Sequence, residues 1–376
     1  MKVYFILFSI LFLFGCKKLE LTKEFDVIVD KEFISNPRNT EFSTYLKDYF
    51  LSTQTPGSIL LIAENDSLWI GSIGFSNIEK QKLMTYKTQF RIGSITKVFI
   101  SVLILKLIEE NKLSFENKIS DFLPYLKNKI PDVDKITIRQ LLSHTSGIID
   151  PPNQSIKYQS AIVNNPNKFS ELSQSELLQK YVYDEKLIFE PAKGYSYSNA
   201  GYWILGLIIE TIEKKTVYQV LNEKILIPYG LKNTYLEKKE NNNVAFGYTK
   251  ISNSKIKDVT IWDIAEGDGK TAGGIISSAY DLYLFYKNLF SFNIISENLV
   301  KEMKQIQYSE CNSPDCEYGL GLELWRLNNY IAYGHNGSLI GIETNALYIK
   351  EKNTIIVIYK NLGGGSNKSF IDEILK

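Results

Sequence analysis

The sequence predicts a mixed α/β protein of the α+β type, in which one antiparallel sheet is built from both ends of the chain. Strand-like runs occupy the beginning and the end of the folded region, and helical stretches fill most of the middle. Few crossover helices separate the sequential strands, which favours antiparallel pairing. Helices are expected to flank the sheet, and a large, mostly helical lobe is inserted between its two halves. A cleft between two such lobes is a common place for a functional site.

The N-terminal half of the predicted sheet follows a helix that is expected over residues 40–52 and is closed by a Pro-Gly pair. The run SILLIAENDSLWIGSIGFSN contains two strand patterns on either side of Asn65-Asp66, which is typical of a hairpin. From Ser94 onwards, the apolar run VFISVLILKLI is far too long for a strand. It predicts a long helix that enters the core.

Helical patterns continue to about residue 310, and strand patterns then return. The predicted helices of this middle part cover residues 134–143, 174–182, 198–214, 216–224 and 278–290. The predicted C-terminal strands cover Tyr330–Gly334, Gly341–Lys350 and Thr354–Asn361, and a short helix from about Lys368 ends the chain. This order predicts one folded domain at 39–376, with a sheet lobe at about 39–93 and 325–376 and a helical lobe at about 94–324.

The N-terminus has the pattern of a secretory signal. One early lysine precedes an apolar run over residues 3–14 that is too short to span a bilayer comfortably. The following LFGC resembles the bacterial lipobox, in which cleavage precedes a cysteine that becomes lipid-modified; a plain signal peptide or a short anchor helix is the alternative. We therefore predict a lipoprotein signal peptide at 1–15, lipidation at Cys16 and a tether at 16–38. The protein would be lipid-anchored in the bacterial cell envelope, outside the cytoplasm.

Composition excludes several classes of function. Lys+Arg (43) and Asp+Glu (42) nearly cancel, and no basic cluster is interleaved with aromatic residues, so a nucleic acid is not an expected partner. With two histidines in the chain, a His-based metal site is not expected, and no C-x-x-C is present. We also expect no cofactor, and we expect a monomer. Cys311 and Cys316 are an even pair, which in an oxidising compartment suggests a disulfide. So small a loop would contribute only about 2 kcal/mol to stability.

Two motifs lie at the starts of apolar helices. FRIGSITK places Ser94 and Lys97 three residues apart, a spacing that puts both side chains on one helical face. GYSYSNAGYWILG places Tyr197 and Asn199 before another apolar run. Purely structural interpretations exist for all four residues: Ser94 and Asn199 as helix N-caps, Lys97 as a side chain that reaches water, and Tyr197 as a half-buried aromatic.

A third motif, YGHNGSLIG, puts His335 and Gly337 in a strand-like run, where His335 alone would be an ordinary polar residue. A histidine in LLSHTSGI, His144, is expected to satisfy backbone groups at a helix end. In this order, the three motifs resemble the serine β-lactamase and penicillin-binding protein superfamily, and in particular its class C branch, which includes D,D-peptidases and esterases. The resemblance covers roughly residues 52–361 and implies a β-lactamase/transpeptidase-like fold.

For the residues at the helix starts, the resemblance implies an acyl-enzyme mechanism. Ser94 matches the nucleophile, and Lys97 matches the amine that activates it. Tyr197 matches a second base, whose phenol would be partly ionised beside the Lys97 cation; the sequence leaves open which of the two takes the proton. Asn199 is expected to hydrogen-bond both Lys97 and the amide of the substrate.

For the late strand, the resemblance implies contacts with substrate. His335 stands where the commoner Lys-Thr-Gly motif has lysine, and Gly337 would let substrate lie against the strand. The backbone N–H groups of Ser94 and Ser338 would form the oxyanion hole. Because the ordinary pKa of histidine is ~6.5, carboxylate-bearing substrates should bind weakly at neutral pH and better toward about pH 6.

The predicted function is therefore that of a serine hydrolase of D,D-peptidase or β-lactamase-related type, acting on a peptide or small molecule that carries an amide or an ester. Two alternatives remain open at this point. One is a small-ester esterase or an amidase unrelated to the cell wall. The other is a non-catalytic surface binding protein that retains the fold.

Overall fold

The computed structural model describes residues 25–65, 67–236, 241–252, 255–310 and 317–376. Its strands are β1 (Ile28–Val29), β2 (Gly57–Glu64), β3 (Ser67–Asn77), β4 (Lys82–Leu83), β5 (Phe90–Arg91), β6 (Tyr248–Ser252), β7 (Lys255–Asp258), β8 (Ile276–Ser277), β9 (Glu323–Leu327), β10 (Tyr330–Ser338), β11 (Glu343–Ile349) and β12 (Thr354–Lys360).

Most of the helices lie between β5 and β9; α1 precedes β2, and α14 follows β12. The helices are α1 (Asn39–Thr53), α2 (Thr96–Glu109), α3 (Ile119–Phe122), α4 (Ile138–Leu142), α5 (Pro151–Gln154), α6 (Ile156–Asn164), α7 (Pro166–Ser170), α8 (Gln174–Tyr181), α9 (Asn199–Glu213), α10 (Val217–Leu221), α11 (Thr260–Glu266), α12 (Ala279–Phe290), α13 (Glu297–Lys304) and α14 (Lys368–Ile374). A 3₁₀ turn, Gly93–Ile95, immediately precedes α2.

The main sheet confirms the predicted antiparallel assembly from both chain ends. Its order is β1-β3-β2-β12-β11-β10-β9, with β4 paired to β3. β2 and β3 form the predicted hairpin, and β12 pairs with β2 along its whole length, from Thr354↔Glu64 to Lys360↔Ser58. Both faces of the central strands are covered, because α1 packs on β2 and β3 while α12 packs on β2, β11 and β12. This explains why β12 is buried at every position and has no polar face.

α2 lies in the core, and nearly all of its residues from Thr96 to Leu107 are buried. A helix that is apolar on all sides must be enclosed by protein, which agrees with the unbroken apolar run of the sequence. Phe99 stacks on Phe285 of α12, with the ring centroids 3.7 Å apart. One expectation is corrected: the helix begins at Thr96, so Ser94 lies in the preceding 3₁₀ turn.

The predicted tether at 16–38 is too long at its C-terminal end, because residues 25–38 pack on the domain. Phe25 contacts Phe50 and Phe75 edge-on, and Phe33 is buried against Tyr86. β1 within this segment pairs with β3. These aromatic residues bury apolar surface, which a free tether would leave in water.

Other local differences concern short elements. The helix expected over 134–143 is reduced to α4, where Thr137 is the N-cap and accepts a hydrogen bond from the backbone N–H of Gln140. The hairpin of β6 and β7 was not predicted, because its strands are polar and half-exposed and lack a clear apolar alternation. β9 was also missed, and β10 extends to Ser338, four residues beyond the predicted end.

Several predictions fall outside the described residues. They are the signal peptide at 1–15, lipidation at Cys16, the tether as far as residue 24, and the Cys311–Cys316 disulfide. Within the part of the chain that the structure describes, no helix combines the length and the hydrophobicity needed to cross a membrane.

Candidate active site

Ser94 opens onto a cleft of about 1300 Å³ between the edge of the sheet and the helical part of the chain. The cleft is also lined by Tyr197, Asn199, Glu266, Tyr318 and Asn336. Ser94 is half-buried in the 3₁₀ turn before α2, and its side chain caps neither the turn nor the helix. The N-cap interpretation is therefore wrong, and the hydroxyl faces the cleft.

Lys97 lies one turn further on and is fully buried. Its Nζ is 3.1 Å from Ser94 Oγ, 2.7 Å from Asn199 Oδ1 and 2.7 Å from the carbonyl oxygen of Ala272. Burial disfavours the ammonium form and lowers the pKa of Lys97 to about 7. A lysine that reached water would keep its ordinary pKa, so the interpretation of Lys97 as a surface side chain is also wrong.

Tyr197 covers the same amine, with the Lys97 Nζ 4.7 Å from the centre of its ring. Its hydroxyl is buried and makes no hydrogen bond of good geometry among the described residues. Burial raises the pKa of Tyr197 well above 10, and the neighbouring Ser94 hydroxyl opposes this only in part. The partly ionised phenol expected from the sequence is therefore not favoured, and Tyr197 is a neutral phenol in the resting site.

Asn199 is the first residue of α9 and joins Lys97 to a buried carboxylate. Its Nδ2 donates to Asp150 Oδ1 at 2.9 Å, and its backbone N–H donates to the same oxygen at 3.0 Å. The N-cap of α9 is Ser198, whose hydroxyl accepts from the N–H of Gly201, so Asn199 is not the cap. Asp150 thus fixes the amide of Asn199, with its oxygen aimed at Lys97. Sequence analysis missed Asp150, because an aspartate before Pro-Pro is also an ordinary turn residue.

His144 holds the segment that carries Tyr197 and Asn199. Its Nδ1 accepts the backbone N–H of Ser198 at 3.1 Å, and its carbonyl oxygen accepts the N–H of Ser196. The imidazole also packs on the Tyr197 ring, with the centroids 4.2 Å apart. Burial lowers the pKa of His144 well below 6.5, so the ring is neutral. The structure thus shows the backbone role that the sequence predicts.

On β10, the side chain that was expected to contact substrate is buried, and its neighbour faces the cleft instead. The imidazole of His335 is fully buried and does not line the cleft, whereas Asn336 and Ser338 do. Its Nδ1 bonds the carbonyl oxygen of Asn336 at 2.5 Å, and its Nε2 lies 3.0 Å from the Tyr318 hydroxyl. Burial lowers the pKa of His335 to about 3, so it stays neutral throughout the physiological range. Because side chains alternate along a strand, His335 cannot contact substrate as predicted, and Asn336 takes that position.

Gly337 also has a different role from the one predicted. A Cβ at this position would lie 1.9 Å from the carbonyl oxygen of Ile92, so the absent side chain admits the turn that carries Ser94. Gly93 faces the strand in the same way, since its Cβ would lie 2.8 Å from the backbone nitrogen of Ser338. Its φ of 51° is a second reason for glycine at that position. The two glycines bring the strand and the nucleophile turn into direct contact.

This contact places the Ser338 N–H beside Ser94. The N–H of Leu339 bonds the carbonyl oxygen of Ile342, so these two residues form a hydrogen-bonded pair in the turn directly after the last β10–β11 pair, Ser338↔Glu343. In an antiparallel ladder such pairs alternate, so the N–H of Ser338 points away from β11 and toward the turn. It is therefore oriented as the predicted oxyanion hole requires. Among the described residues, no cluster of three or more His, Cys, Asp and Glu side chains is arranged to hold a metal ion.

The serine, the buried lysine and the amide of Asn199 meet here beside an antiparallel sheet that is flanked by helices, which is the arrangement of the β-lactamase fold. The family described as Beta-lactamase matches residues 40–374, and the chain belongs to that family.

The chain is similar to several known proteins across most of its length. Protein flp of Staphylococcus aureus (strain MW2) is 24% identical over 353 residues, which cover 91% of this chain and 66% of that protein. Penicillin-binding protein 4* of Bacillus subtilis (strain 168) is 26% identical over 329 residues, covering 81% of this chain and 68% of that protein. The chain thus spans about two thirds of the length of these curated relatives.

Solved structures agree with the fold. D-amino acid amidase from Ochrobactrum anthropi SV3, complexed with L-phenylalanine amide, superposes with a TM-score of 0.76 at 22% identity. The match covers 90% of this chain and 97% of that chain. At this level of identity the likeness establishes the fold alone.

Proposed function

We propose that the protein hydrolyses amides or esters through an acyl-enzyme formed on Ser94, in the manner of class C β-lactamase relatives. One observation carries the proposal: the Nζ of Lys97 lies 3.1 Å from Ser94 Oγ and is fully buried. A serine hydroxyl needs an adjacent base to become a nucleophile. A lysine with its pKa lowered to about 7 supplies a neutral amine at physiological pH.

We propose that Lys97 is the base that the sequence left open. Burial lowers the pKa of Lys97 and raises that of Tyr197, so the amine is the group able to accept a proton in the resting site. Ser94 Oγ attacks the carbonyl carbon while its proton passes to Lys97 Nζ. The backbone N–H groups of Ser94 and Ser338 stabilise the negative oxygen that forms. Asn199 and Asp150 keep the amine in place during this transfer.

The leaving group departs when the C–N or C–O bond breaks, and it takes the proton from the Lys97 ammonium. Water then attacks the ester on Ser94 and gives a proton to the Lys97 amine, which returns it to Ser94 Oγ as the acyl group leaves. The names of two similar proteins, a penicillin-binding protein and a D-amino acid amidase, agree with an amide substrate. A small-ester esterase would use the same chemistry and differ only in its preferred substrate. Comparing the turnover of a D-Ala-ending peptide with that of a small ester would distinguish the two functions.

The proposal extends to the predicted location in the cell envelope. Lipidation at Cys16 is supported by the short apolar run that ends at Gly15. N-terminal mass analysis of the membrane fraction should then find a mature chain that begins at Cys16. A chain that begins elsewhere and is wholly soluble would contradict the lipid anchor and leave the Ser94 chemistry unaffected.

Labelling with a fluorophosphonate and with a penicillin-type probe tests the proposed function. Intact mass should increase by one adduct in the wild type, and Ser94→Ala should abolish the increase. Ser366→Ala is the matched control, because Ser366 lines the same cleft and its hydroxyl accepts the backbone N–H of Lys368. Labelling that persists in Ser94→Ala, or that disappears in Ser366→Ala alone, would overturn the mechanism, as would a folded wild type that neither probe labels. Such an unlabelled protein would match the non-catalytic binding protein considered above.

A further inference from the structure

One carboxylate in the cleft has no place in the mechanism above. Glu323 begins β9, beside the edge of β10 that carries Asn336 and Ser338. The β9–β10 ladder ends at the Gly334↔Glu323 pair, so the next N–H along this edge, that of Asn336, reaches beyond β9. Glu323 Oε2 accepts this N–H at 3.0 Å and the Trp325 Nε1–H at 2.7 Å. The two N–H donors fix the orientation of the carboxylate.

The carboxylate lies close to the oxyanion site. The N–H groups of Asn336 and Ser338 are two residues apart on one strand edge, which is a separation of about 7 Å. An ammonium bonded to Glu323 lies about 3 Å from its oxygen. The amino nitrogen of an α-amino acyl group lies about 3 Å from its own carbonyl oxygen. The two spans together come to about 6 Å, close to the separation of about 7 Å. An acyl group whose carbonyl oxygen meets the Ser338 N–H therefore carries its α-ammonium group to the vicinity of Glu323.

The charged side chains around the cleft also favour a positively charged group in the substrate. Among the described residues that line it, the cationic side chains are engaged elsewhere. Arg326 pairs with Glu317, Lys368 pairs with Asp372, and Lys250 bonds the carbonyl oxygen of Thr53. None of these three lining cations, among the residues that the structure describes, is therefore placed to hold a carboxylate beside the Ser338 N–H.

His335 adds no positive charge. Its Nδ1 lies 3.4 Å from Glu323 Oε1, but the buried imidazole is neutral because its pKa is lowered to about 3. Tyr318 and Trp325 line the cleft beside Glu323, and aromatic rings attract ammonium groups. A carboxylate that is surrounded by aromatic rings favours the binding of a cation.

We propose that Glu323 binds the α-ammonium group of the substrate's acyl residue. The preferred substrates are then amino-acid amides and esters, and peptides with a free N-terminus that are cleaved after their first residue. Peptides recognised through a C-terminal carboxylate are disfavoured. This inference rests on the proposed acyl-enzyme at Ser94 and adds the substrate class.

The test compares alanine p-nitroanilide with its N-acetyl derivative, for both enantiomers of alanine, by following the release of p-nitroaniline. Acetylation removes the positive charge and leaves the scissile bond unchanged. The wild type should favour the free amine by at least about tenfold in kcat/KM, mainly through KM, because a charge-assisted bond is lost on acetylation. A wild type that treats both compounds equally, or that prefers the acetylated one, would overturn the inference without the need for any variant.

Glu323→Gln should reduce this preference to near unity, because the amide keeps the shape of the side chain and removes its charge. The double variant Glu317→Gln/Arg326→Gln is the matched control: it removes another carboxylate that lines the cleft together with the cation paired to it, and the preference should remain at the wild-type value. A preference that survives in Glu323→Gln, or that disappears in the double variant, would contradict the assignment. Labelling of Ser94 in the same preparations separates the two proposals, since labelled protein without a preference for the free amine refutes only the role of Glu323.

Discussion

The two parts of the active site differ in how far their residue spacing predicted their geometry. At the mouth of α2, the Ser94–Lys97 spacing correctly placed the amine against the hydroxyl, at 3.1 Å. On β10, the motif His335-Asn336-Gly337-Ser338 was recognised, but the contacts with substrate were assigned to the wrong face. Residues one turn apart on a helix are neighbours in any surroundings, whereas the face of a strand residue depends on what packs against each side of the sheet. Four predictions test this contrast.

The largest effect is expected from Lys97→Met. Without the buried amine, Ser94 loses its base, and acylation by a small ester should slow by about 10³-fold. Stopped-flow or burst kinetics would measure this rate. Lys106→Met is the control on the same helix, since the amine of Lys106 bonds the carbonyl oxygen of Ile294 away from the cleft. Near-normal acylation in Lys97→Met would show that Tyr197 is the base.

Gly337→Ala tests the contact between the strand and the nucleophile turn. The new Cβ would lie 1.9 Å from the carbonyl oxygen of Ile92, so the strand and the turn must separate. We expect kcat/KM to fall by about 10²-fold, because displacement of the oxyanion donor misaligns the reacting groups. Overpacking should also reduce the free energy of unfolding by about 1–3 kcal/mol.

Gly201→Ala provides the comparison for that variant. Gly201 lies on α9, the helix that Asn199 begins, and the nearest atom to its added Cβ is 3.6 Å away, an ordinary contact. Activity and thermal stability should therefore be retained. Equal losses in the two variants would show that any added methyl group near the site is harmful and that the contact at Ile92 has no special importance.

The pH dependence of activity should be set by the protonation of Lys97 and not by that of His335. Below the lowered pKa of Lys97, near 7, the amine is protonated and cannot accept the Ser94 proton. For a neutral ester, kcat/KM should therefore fall about tenfold per pH unit below 7 and level off above it. The improvement toward pH 6 that the sequence suggested is not expected, because His335 has its pKa lowered to about 3 and stays neutral there.

Glu266 requires a control, since burial raises the pKa of this cleft carboxyl to about 7 as well. Its negative charge raises the pKa of Lys97, so Glu266→Gln should move the midpoint of the profile to lower pH and preserve its shape. A profile that becomes flat in Glu266→Gln would assign the titration to Glu266.

The smallest effects on activity separate the two faces of β10. Asn336→Ala should change kcat/KM only several-fold, and the free energy of unfolding should change by no more than about 0.5 kcal/mol, because the side chain faces the cleft. His335→Ala should instead reduce that free energy by about 2 kcal/mol or more, since it opens a cavity and leaves the Tyr318 hydroxyl without its partner. Chemical denaturation and steady-state kinetics measure both quantities. A specific KM effect in His335→Ala at unchanged stability would restore the original assignment.

The missed residues share a physical cause. Asp150 and Asn199 are 49 positions apart, and Glu323 and Asn336 are 13 apart, so only the folded chain brings each pair together. Neither Asp150 nor Glu323 belongs to a sequence motif or a periodic pattern that would mark it as a site residue. β9, which positions Glu323, has half-exposed positions on both faces and therefore no clear strand pattern.

The sequence by itself determined the antiparallel sheet from both chain ends, the buried helix and the meeting of Ser94 with Lys97, because apolar periodicity and helical spacing are local properties of the chain. The tertiary structure alone decided which groups are charged. Burial makes Lys97 a base near neutrality and keeps Tyr197 and His335 uncharged, and burial depends on which distant segments cover a side chain. The face that β10 presents was decided in the same way, by the turn that packs against Gly337.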